Sequence, residues 1–430
     1  MEYTYTSLLQ EVSEYLTSPA YNDQYTKAMD GLGLEAEEAQ NTCRTAIQNY
    51  LSKLRKLPLV LRNEKTVDNL YNDIIAWGPI TPLILTGANE GISEIRVYGP
   101  YDVAIQQHGQ WKRLDKMAFH TEVDLQNIIN RILASSDINM NDMNGFTDRA
   151  RLPNGSRVTI VEQPNTGASY YMSIRIYNKE MFSSRQLVSN GSISERQDKL
   201  LKFLMNAKAN NFWFGPMTSG KTTALSAYLP HLPKSWHVLT IEDSPEFLLK
   251  QRNPDLIVSE FYTHEGEFAL TWSKASSLIL RTAADVIYWG ELRDSMSTFR
   301  AVDNMTTGHR GSGSTGHAGN AEEGIQNLAN RYQEAVPSLD TGIVLQRVSN
   351  AIDFIPIMRR SRSGRRYMGD ISAITWDYVK KEPLIFPIIK RRINKDDSFE
   401  EDYQGIPEFL KNKLLAWNSV FEEDFEEWSL

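Results

Sequence analysis

Apolar positions recur at three-and-four spacing through LLQEVSEYL (8–16) and CRTAIQNYLSKLRKLPLVL (43–61). That period predicts helices, with a break at Asp30-Gly31-Leu32-Gly33. A further helix is expected from Lys65 to Ile84, closed by Gly78-Pro79 and Thr81-Pro82. The period then shortens. ISEIRVYG, DVAIQQHG and QWKRLDKM read as strands with the turn signals GPYD and HGQ between them, which predicts a meander. VDLQNIINRILAS returns to helical spacing, and Arg157 to Glu162 and Tyr170 to Ile176 read as strands joined by loops. Beyond this point strand and helix alternate, with strands at Asn211–Phe214, His237–Glu242, Leu256–Glu260, Val286–Trp289 and Gly311–Thr315. Such alternation predicts a parallel sheet covered by helices. The late runs AIDFIPIMRR, YMGDISAITW and PLIFPIIKRR predict an antiparallel extension.

The expected class is therefore α/β, with a mixed α+β N-terminal domain and a helical N-terminal appendage. The boundaries read as a helical region (1–62), an α+β domain (63–180) and a polar, Ser-rich linker (181–196). A second α/β domain (197–395) and an acidic tail (396–430) follow. Ser194 is the expected N-cap of a helix beginning near Glu195. The tail reads as solvated surface. The alternative is that it pairs with the basic residues Arg359, Arg360, Arg362, Arg365, Arg366, Lys390, Arg391 and Arg392.

Composition narrows the class. A chain of 430 residues is too long for one ordinary core. A hydrophobic share of 41% and a charged share of 23% are those of a soluble globular protein. The single Cys43 excludes an internal disulfide and argues against a cysteine-based metal site. No run reaches the length of a membrane span, and MEYTYTSLLQEVSEYL lacks the regions of a signal peptide. A cytoplasmic protein is expected, without membrane insertion. The net charge of −8 offers no global attraction for nucleic acid.

The stretch FWFGPMTSGKTT carries the chemistry. Gly215 and Gly220 bound a Gly-x-x-x-x-Gly-Lys-Thr spacing, after an apolar strand and before a helix. Backbone N–H groups of Gly215, Pro216, Met217, Thr218, Ser219, Gly220, Lys221, Thr222 and Thr223, proline excepted, form a nest for anionic oxygens. Lys221 reaches the β- and γ-phosphates, and Thr222 is a Mg²⁺ ligand. ATP and Mg²⁺ are the expected ligands. In ADVIYWGELRD an apolar strand ends at Gly290-Glu291, the place for an acid that meets Mg²⁺. In HVLTIEDSPE another strand ends in Glu242, Asp243 and Glu246. In a parallel sheet such ends converge on one crevice, and Glu246 is the candidate that polarises the attacking water. In TGHRGSGSTGHAG, His317 or His309 is expected to read the phosphate by a hydrogen bond, a metal role lacking nearby Cys or carboxylate partners.

Taken in order, these motifs resemble the secretion-superfamily ATPases, the motors of type II and type IV secretion, type IV pili and Tad pili. The Tad-pilus and type IV secretion branch is most similar. The resemblance runs from about Leu70 to Thr375. It includes LYNDIIAWGPITPLI, the arginine loop FTDRARLPNGSRVTIVEQP and SIRIYN. It implies a RecA-like P-loop NTPase domain, a homo-hexameric ring and an inner-membrane platform protein as partner, with no nucleic acid bound directly. By the same resemblance Glu246 is the catalytic acid and Glu291 the Walker B acid and metal-side residue. Arg151, Arg157 and Arg175 are the cations directed at the phosphates. Departures are Met217-Thr218 where the family has Thr-Gly, which limits positive φ there, and no arginine within 256–264. Alternative readings are a nucleotide-gated assembly factor with weak turnover and a DNA-translocating motor.

Overall fold

The computed structural model describes the chain except residues 1–2, 31–32, 116, 137, 139–144, 178–181, 264–269, 293, 418 and 429–430, and the side chains of 30, 33–35 and 280. The chain divides into two compact units, Met1–Glu180 and Met181–Leu430.

The first unit opens with helices α1 (Tyr5–Leu16), α2 (Asn22–Asp30), α3 (Gly33–Lys53), α4 (Glu64–Ile74) and α5 (Thr81–Thr86). Thr4 caps α1 by accepting from the Ser7 N–H. Leu8, Val12 and Leu16 pack with Cys43, Ile47, Leu70 and Ile74 in one apolar cluster. The helical region therefore extends past 62 and includes α4. The long helix expected over Lys65–Ile84 is broken, because Gly78 adopts φ +62 and Pro79 and Pro82 lack an N–H.

Next come β1 (Ile92–Tyr98), β2 (Val103–Gln107), β3 (Gln110–Arg113), α6 (Glu122–Ala134), β4 (Phe146–Arg151), β5 (Arg157–Glu162) and β6 (Tyr170–Arg175). The sheet order is β3-β2-β1-β6-β5-β4, and its first three strands form the expected antiparallel meander. Part of the arginine loop is itself strand: β4 pairs antiparallel with β5. The apolar face, with Ile95, Val158 and Ile174, packs on Ile128, Ile129 and Ile132 of α6.

The second unit comprises α7 (Ser184–Ser189), α8 (Glu195–Asn206), β7 (Asn211–Gly215), α9 (Lys221–Tyr228), β8 (His237–Glu242), α10 (Leu249–Arg252), β9 (Ile257–Tyr262), α11 (Trp272–Leu278), β10 (Val286–Trp289), α12 (Ser295–Thr306), β11 (Gly313–His317), α13 (Ala321–Ala335) and α14 (Thr341–Ala351). It continues with β12 (Phe354–Arg360), β13 (Arg366–Asp377), β14 (Glu382–Ile393), β15 (Phe399–Tyr403) and α15 (Glu408–Ala416). One sheet runs β15-β14-β13-β12-β7-β11-β10-β8-β9. Strands β12 to β9 in that order are parallel, and β13, β14 and β15 form the expected antiparallel extension. Apolar clusters lie on both faces. Leu201, Leu225 and Tyr228 lie on the α8–α9 side with Trp213, and Val302, Leu328 and Val344 on the α12–α14 side with Phe212 and Phe214.

Two expectations are corrected. The Ser-rich stretch read as a linker holds α7, capped by Ser183, and buries Leu187 and Ile193 in the core of the second unit. Ser194 does cap α8. The acidic tail is not a solvated appendage. β15 pairs with β14 so that Lys390 faces Asp402, Arg391 faces Glu401 and Arg392 faces Glu400, while Leu410, Leu414, Phe425 and Trp428 enter the core. Cross-strand charge pairs contribute about 0.2–1 kcal/mol each, whereas each large apolar side chain contributes about 1.5–3 kcal/mol. The aromatic and leucine residues dominate, and the charges set the register.

Candidate active site

The fully buried strand β7 delivers Gly215 to the carboxyl edge of the sheet. A Cβ on Gly215 would lie 2.3 Å from the carbonyl oxygen of Met358 and 2.6 Å from Ser219 Oγ, so only glycine fits this turn. The loop closes at Gly220, φ +89, which caps α9 and leaves the helix N-terminus facing the loop. Between them Thr218 takes φ +59. The chain thus keeps the left-handed turn with a β-branched residue in it, at a steric cost that glycine would not carry. Met217 is exposed and Ser219 is buried. The Ser219 hydroxyl has no hydrogen-bond partner among the described residues. Thr222 is half-buried and Thr223 exposed in the first turn of α9.

Lys221 is 7% exposed. Its Nζ donates to the Pro216 carbonyl at 3.0 Å and lies 3.2 Å from His317 Nδ1. His317 Nε2 lies 3.1 Å from Glu291 Oε1. An ammonium only donates, so Nδ1 accepts and Nε2–H donates to the carboxylate, which assigns the tautomer. The register explains the meeting. His317 is opposite Gly215 across β11 and β7, Trp289 pairs with Ile241 across β10 and β8, and Gly290 N donates to Ile241 O. Thr315 Oγ1 donates to the Gly290 carbonyl at 2.6 Å and ties β11 to the turn carrying Glu291. Lys221, His317 and Glu291 therefore form one polar chain across neighbouring strand ends.

The acids after β8 divide. Glu242 is 2% exposed, and its Oε1 accepts from the Glu246 N–H at 3.0 Å and the Phe247 N–H at 2.9 Å. Burial pushes its carboxyl well above the usual range, against the opposing pull of those two N–H groups. Glu242 is a structural clamp on the backbone that carries Glu246. Glu246 itself is half-buried in the loop beyond the strand. The sequence named Glu242 among the acids, but its clamping of residues four and five positions on has no sequence signal.

His309 is not brought to this edge. It precedes β11, and its Nδ1 pairs with the Ala284 carbonyl at 2.8 Å, before β10 begins. That is the opposite end of both parallel strands from the phosphate loop. It fastens the two strand entrances together. The nearest arginine before the stretch 256–264 is Arg252 of α10, which donates to Ser226 Oγ at 2.8 Å and to the Phe182 carbonyl at 2.5 Å.

In the first unit, Arg151 faces Arg157 across β4 and β5, and Arg157 faces Arg175 across β5 and β6. Glu94 continues the row on β1 and accepts from Arg96 and Ser173 at 2.9 and 2.8 Å. The row lies on the face away from the buried Ala150, Val158 and Ile174. The three arginines thus share one row and one face of the sheet, with Glu94 at its end.

A sheet with RecA-like strand order, a phosphate loop between β7 and α9, and acids at the next strand ends define a nucleotide-binding protein of the P-loop class. The profile of the family described as "Type II/IV secretion system protein" matches residues 78–353. The chain belongs to this family of secretion ATPases. It is 26% identical over 309 residues to the Type IV secretion system protein VirB11 of Bartonella quintana, covering 63% of this chain and 85% of that one. It is 27% identical over 265 residues to the uncharacterized protein MJ0900 of Methanocaldococcus jannaschii, a match spanning 60% of this chain but only 46% of that relative. The crystal structure of the pilus retraction motor PilT with bound ADP superposes with a TM-score of 0.51 at 19% identity, covering 81% of this chain and 96% of that one. At that identity the likeness is one of fold.

Proposed function

We propose that this chain is an ATP-hydrolysing motor subunit of a secretion or pilus system, acting as a hexamer. The observation that carries this reading is the polar chain from Lys221 through His317 to Glu291. It joins the phosphate loop after β7, across β11, to the acid that follows β10, so a change at the γ-phosphate is felt by both. The residues present suit a nucleotide with Mg²⁺. Gly215 leaves room that a Cβ would fill, the Ser219 hydroxyl is buried without a partner among the described residues, and Lys221 is a buried cation.

In this reading the loop amides and Lys221 bind the phosphates, and His317 reports the γ-phosphate. Mg²⁺, held by Thr222 and on the side of Glu291, would neutralise phosphate charge. Glu246 orients and deprotonates the attacking water, with Glu242 fixing its backbone. Arg151, Arg157 and Arg175 supply positive charge for the transition state. Hydrolysis removes the γ-phosphate that the loop and His317 would hold, and this change drives the motion that does the work. The work is delivered to pilin or an exported substrate through a membrane platform protein on the cytoplasmic face. Among the described residues no helix is long and apolar enough to cross a membrane.

The test is phosphate release by the purified protein with Mg-ATP. Lys221→Ala should lose hydrolysis and most nucleotide affinity. Glu246→Gln should bind as the parent does and turn over at least roughly a hundredfold more slowly. Light scattering with a non-hydrolysed ATP analogue should give a hexameric mass. A parent that releases no phosphate under any nucleotide condition, or Glu246→Gln at the parent rate, overturns the corresponding role.

A further inference from the structure

The loop that carries Glu246 runs on into α10. Phe247 and Leu249 are fully buried, and Leu248 between them takes φ +44, a left-handed residue that caps the start of α10. Arg252 stands at the other end of this short helix. Burial lowers its pKa to about 10, so the guanidinium remains charged at neutral pH. The next residue, Asn253, donates through Nδ2 to the Pro230 carbonyl just past α9, at 2.8 Å.

The Arg252 guanidinium joins three segments of the second unit. Nη1 donates to Ser226 Oγ and Nη2 donates to the Phe182 carbonyl. Ser226 is buried on α9, and its hydroxyl donates in turn to the Thr223 carbonyl at 3.1 Å. That carbonyl lies in the first turn of α9, next to Thr222. On the other side Phe182 directly precedes Ser183, the N-cap of α7. Ser184 Oγ lies 2.9 Å from His231 Nε2 and gives α7 a second anchor. A planar fork holds acceptors on two different segments at once, which an ammonium on a flexible stem does less well. Hydrogen bonds from a charged donor are also the stronger ones.

We infer that Arg252 is a positioning residue for hydrolysis. It keeps the loop that carries Glu246 at a fixed spacing from the first turn of α9, and it passes a shift of that loop to Phe182 and the start of α7. The two anchors of the loop carry the assignment. Glu242 holds its near end through the Glu246 and Phe247 N–H groups, and Arg252 holds its far end. Glu246 lies between the two, so its place relative to α9 depends on both. A displacement of about 1 Å at a reacting group can cost a hundredfold in rate. The same guanidinium bonds directly to the segment where the second unit begins, so a change at the phosphates reaches α7 through a short, continuous set of hydrogen bonds. The inference rests on the reading of Glu246 as the acid that activates water.

Phosphate release, nucleotide titration and amide hydrogen exchange on the full chain test it. The variants are Arg252→Ala, Arg252→Lys, Ser226→Ala and the double variant of Arg252→Ala with Ser226→Ala. His231→Ala is the control, since it loosens the start of α7 without touching α10. Thermal melting confirms that each is folded, and Ser226→Ala, which suits a helix, keeps the test standing should Arg252→Ala not fold. Arg252→Ala should lower kcat by roughly tenfold to a hundredfold, while KM for ATP and affinity for ADP stay near the parent values. Arg252→Lys should recover part of the loss. Ser226→Ala should lower kcat too, and the double variant should lose less than the product of the two single losses, because both remove one contact. His231→Ala should keep kcat near the parent value. Protection of the α7 amides should differ between ADP and a non-hydrolysed ATP analogue in the parent and not in Arg252→Ala. The inference is overturned by parental kcat in folded Arg252→Ala or in Ser226→Ala, by a loss carried by KM alone, or by an equal loss in His231→Ala. Single losses that multiply, or α7 protection that responds to nucleotide alike in parent and Arg252→Ala, overturn it as well. Glu246→Gln at the parent rate overturns the underlying reading of the acid, whereas parental turnover in Arg252→Ala beside a slow Glu246→Gln overturns this inference alone.

Discussion

His317 Nε2 lies 3.1 Å from Glu291 Oε1, while the other ring nitrogen faces the Lys221 ammonium at 3.2 Å. One imidazole thus bridges the cation of the phosphate loop and the acid of the next strand end but one. His317→Ala removes the bridge and leaves both partners in place. Nucleotide binding should stay near the parent value, because the loop amides and Lys221 remain. Turnover should fall by roughly a hundredfold, the scale of a lost positioned proton-sharing group. His317→Gln should retain more activity than alanine, since an amide can still donate to Glu291. Phosphate-release rates set beside fluorescent-nucleotide affinities decide this, and parental turnover in His317→Ala would remove the bridge from the mechanism.

Glu242 predicts a pH dependence of stability. Its carboxyl is buried and its folded pKa is raised, so the folded chain keeps a proton that the unfolded chain has released. Its contribution is fully favourable below the unfolded carboxylate pKa and is lost as pH rises through the folded value. Glu242→Gln preserves an acceptor for the Glu246 and Phe247 amides and removes the titration. The stability difference, variant minus parent, should therefore grow as pH rises from about 4.5 toward neutrality. Urea unfolding across that range measures it. A difference that is flat with pH would mean that Glu242 ionises as an ordinary carboxylate.

The tail contributes to the core of the second unit. Leu410 and Leu414 of α15 are fully buried, and Tyr403 Oη donates to the Trp428 carbonyl at 2.7 Å. Leu414→Ala should cost about 2–5 kcal/mol. Glu401→Gln on β15 should cost less than about 1 kcal/mol, since Arg391 also donates to the Ser192 and Gly191 carbonyls. Chemical denaturation of both variants gives the ranking. Equal costs would return the tail to the solvated role that its charge implied.

Much of this was legible from local pattern. The phosphate loop, the strands ending at Glu242 and Trp289 and the cap at Ser194 each depend on residues within a few positions. What escaped depends on pairing between distant segments. The tail's charge masked its apolar spacing at Leu410, Leu414, Phe425 and Trp428. His309 and His317 sit in one short motif, yet an intervening strand carries them to opposite edges of the sheet. Residue types alone do not separate them; only the direction of β11 does. The row of Arg151, Arg157 and Arg175 required the register of three strands, which spacing along the chain does not give.

Thr218 is the place where sequence and backbone disagree. The loop needs a left-handed residue between Met217 and Ser219, and Thr218 supplies it at φ +59. The Cβ costs about 1–2 kcal/mol in that conformation, and β-branching adds to the strain. Glycine removes the cost but has more freedom to lose on folding, about 0.5–1 kcal/mol. The strain term is the larger, so Thr218→Gly should stabilise the second unit by up to about 1 kcal/mol. Thr218→Ala should fall between the two, having a Cβ but no branch. Thr218→Val keeps branch and volume and should be no more stable than the parent. Nucleotide affinity should be retained in the glycine variant, because the loop binds through backbone N–H groups that the substitution leaves in place. Differential scanning calorimetry without nucleotide, followed by nucleotide titration, separates the effects. A lower melting temperature for Thr218→Gly than for the parent would show that the loop does not hold the left-handed turn in solution, and the positive φ at Thr218 would then have to be abandoned.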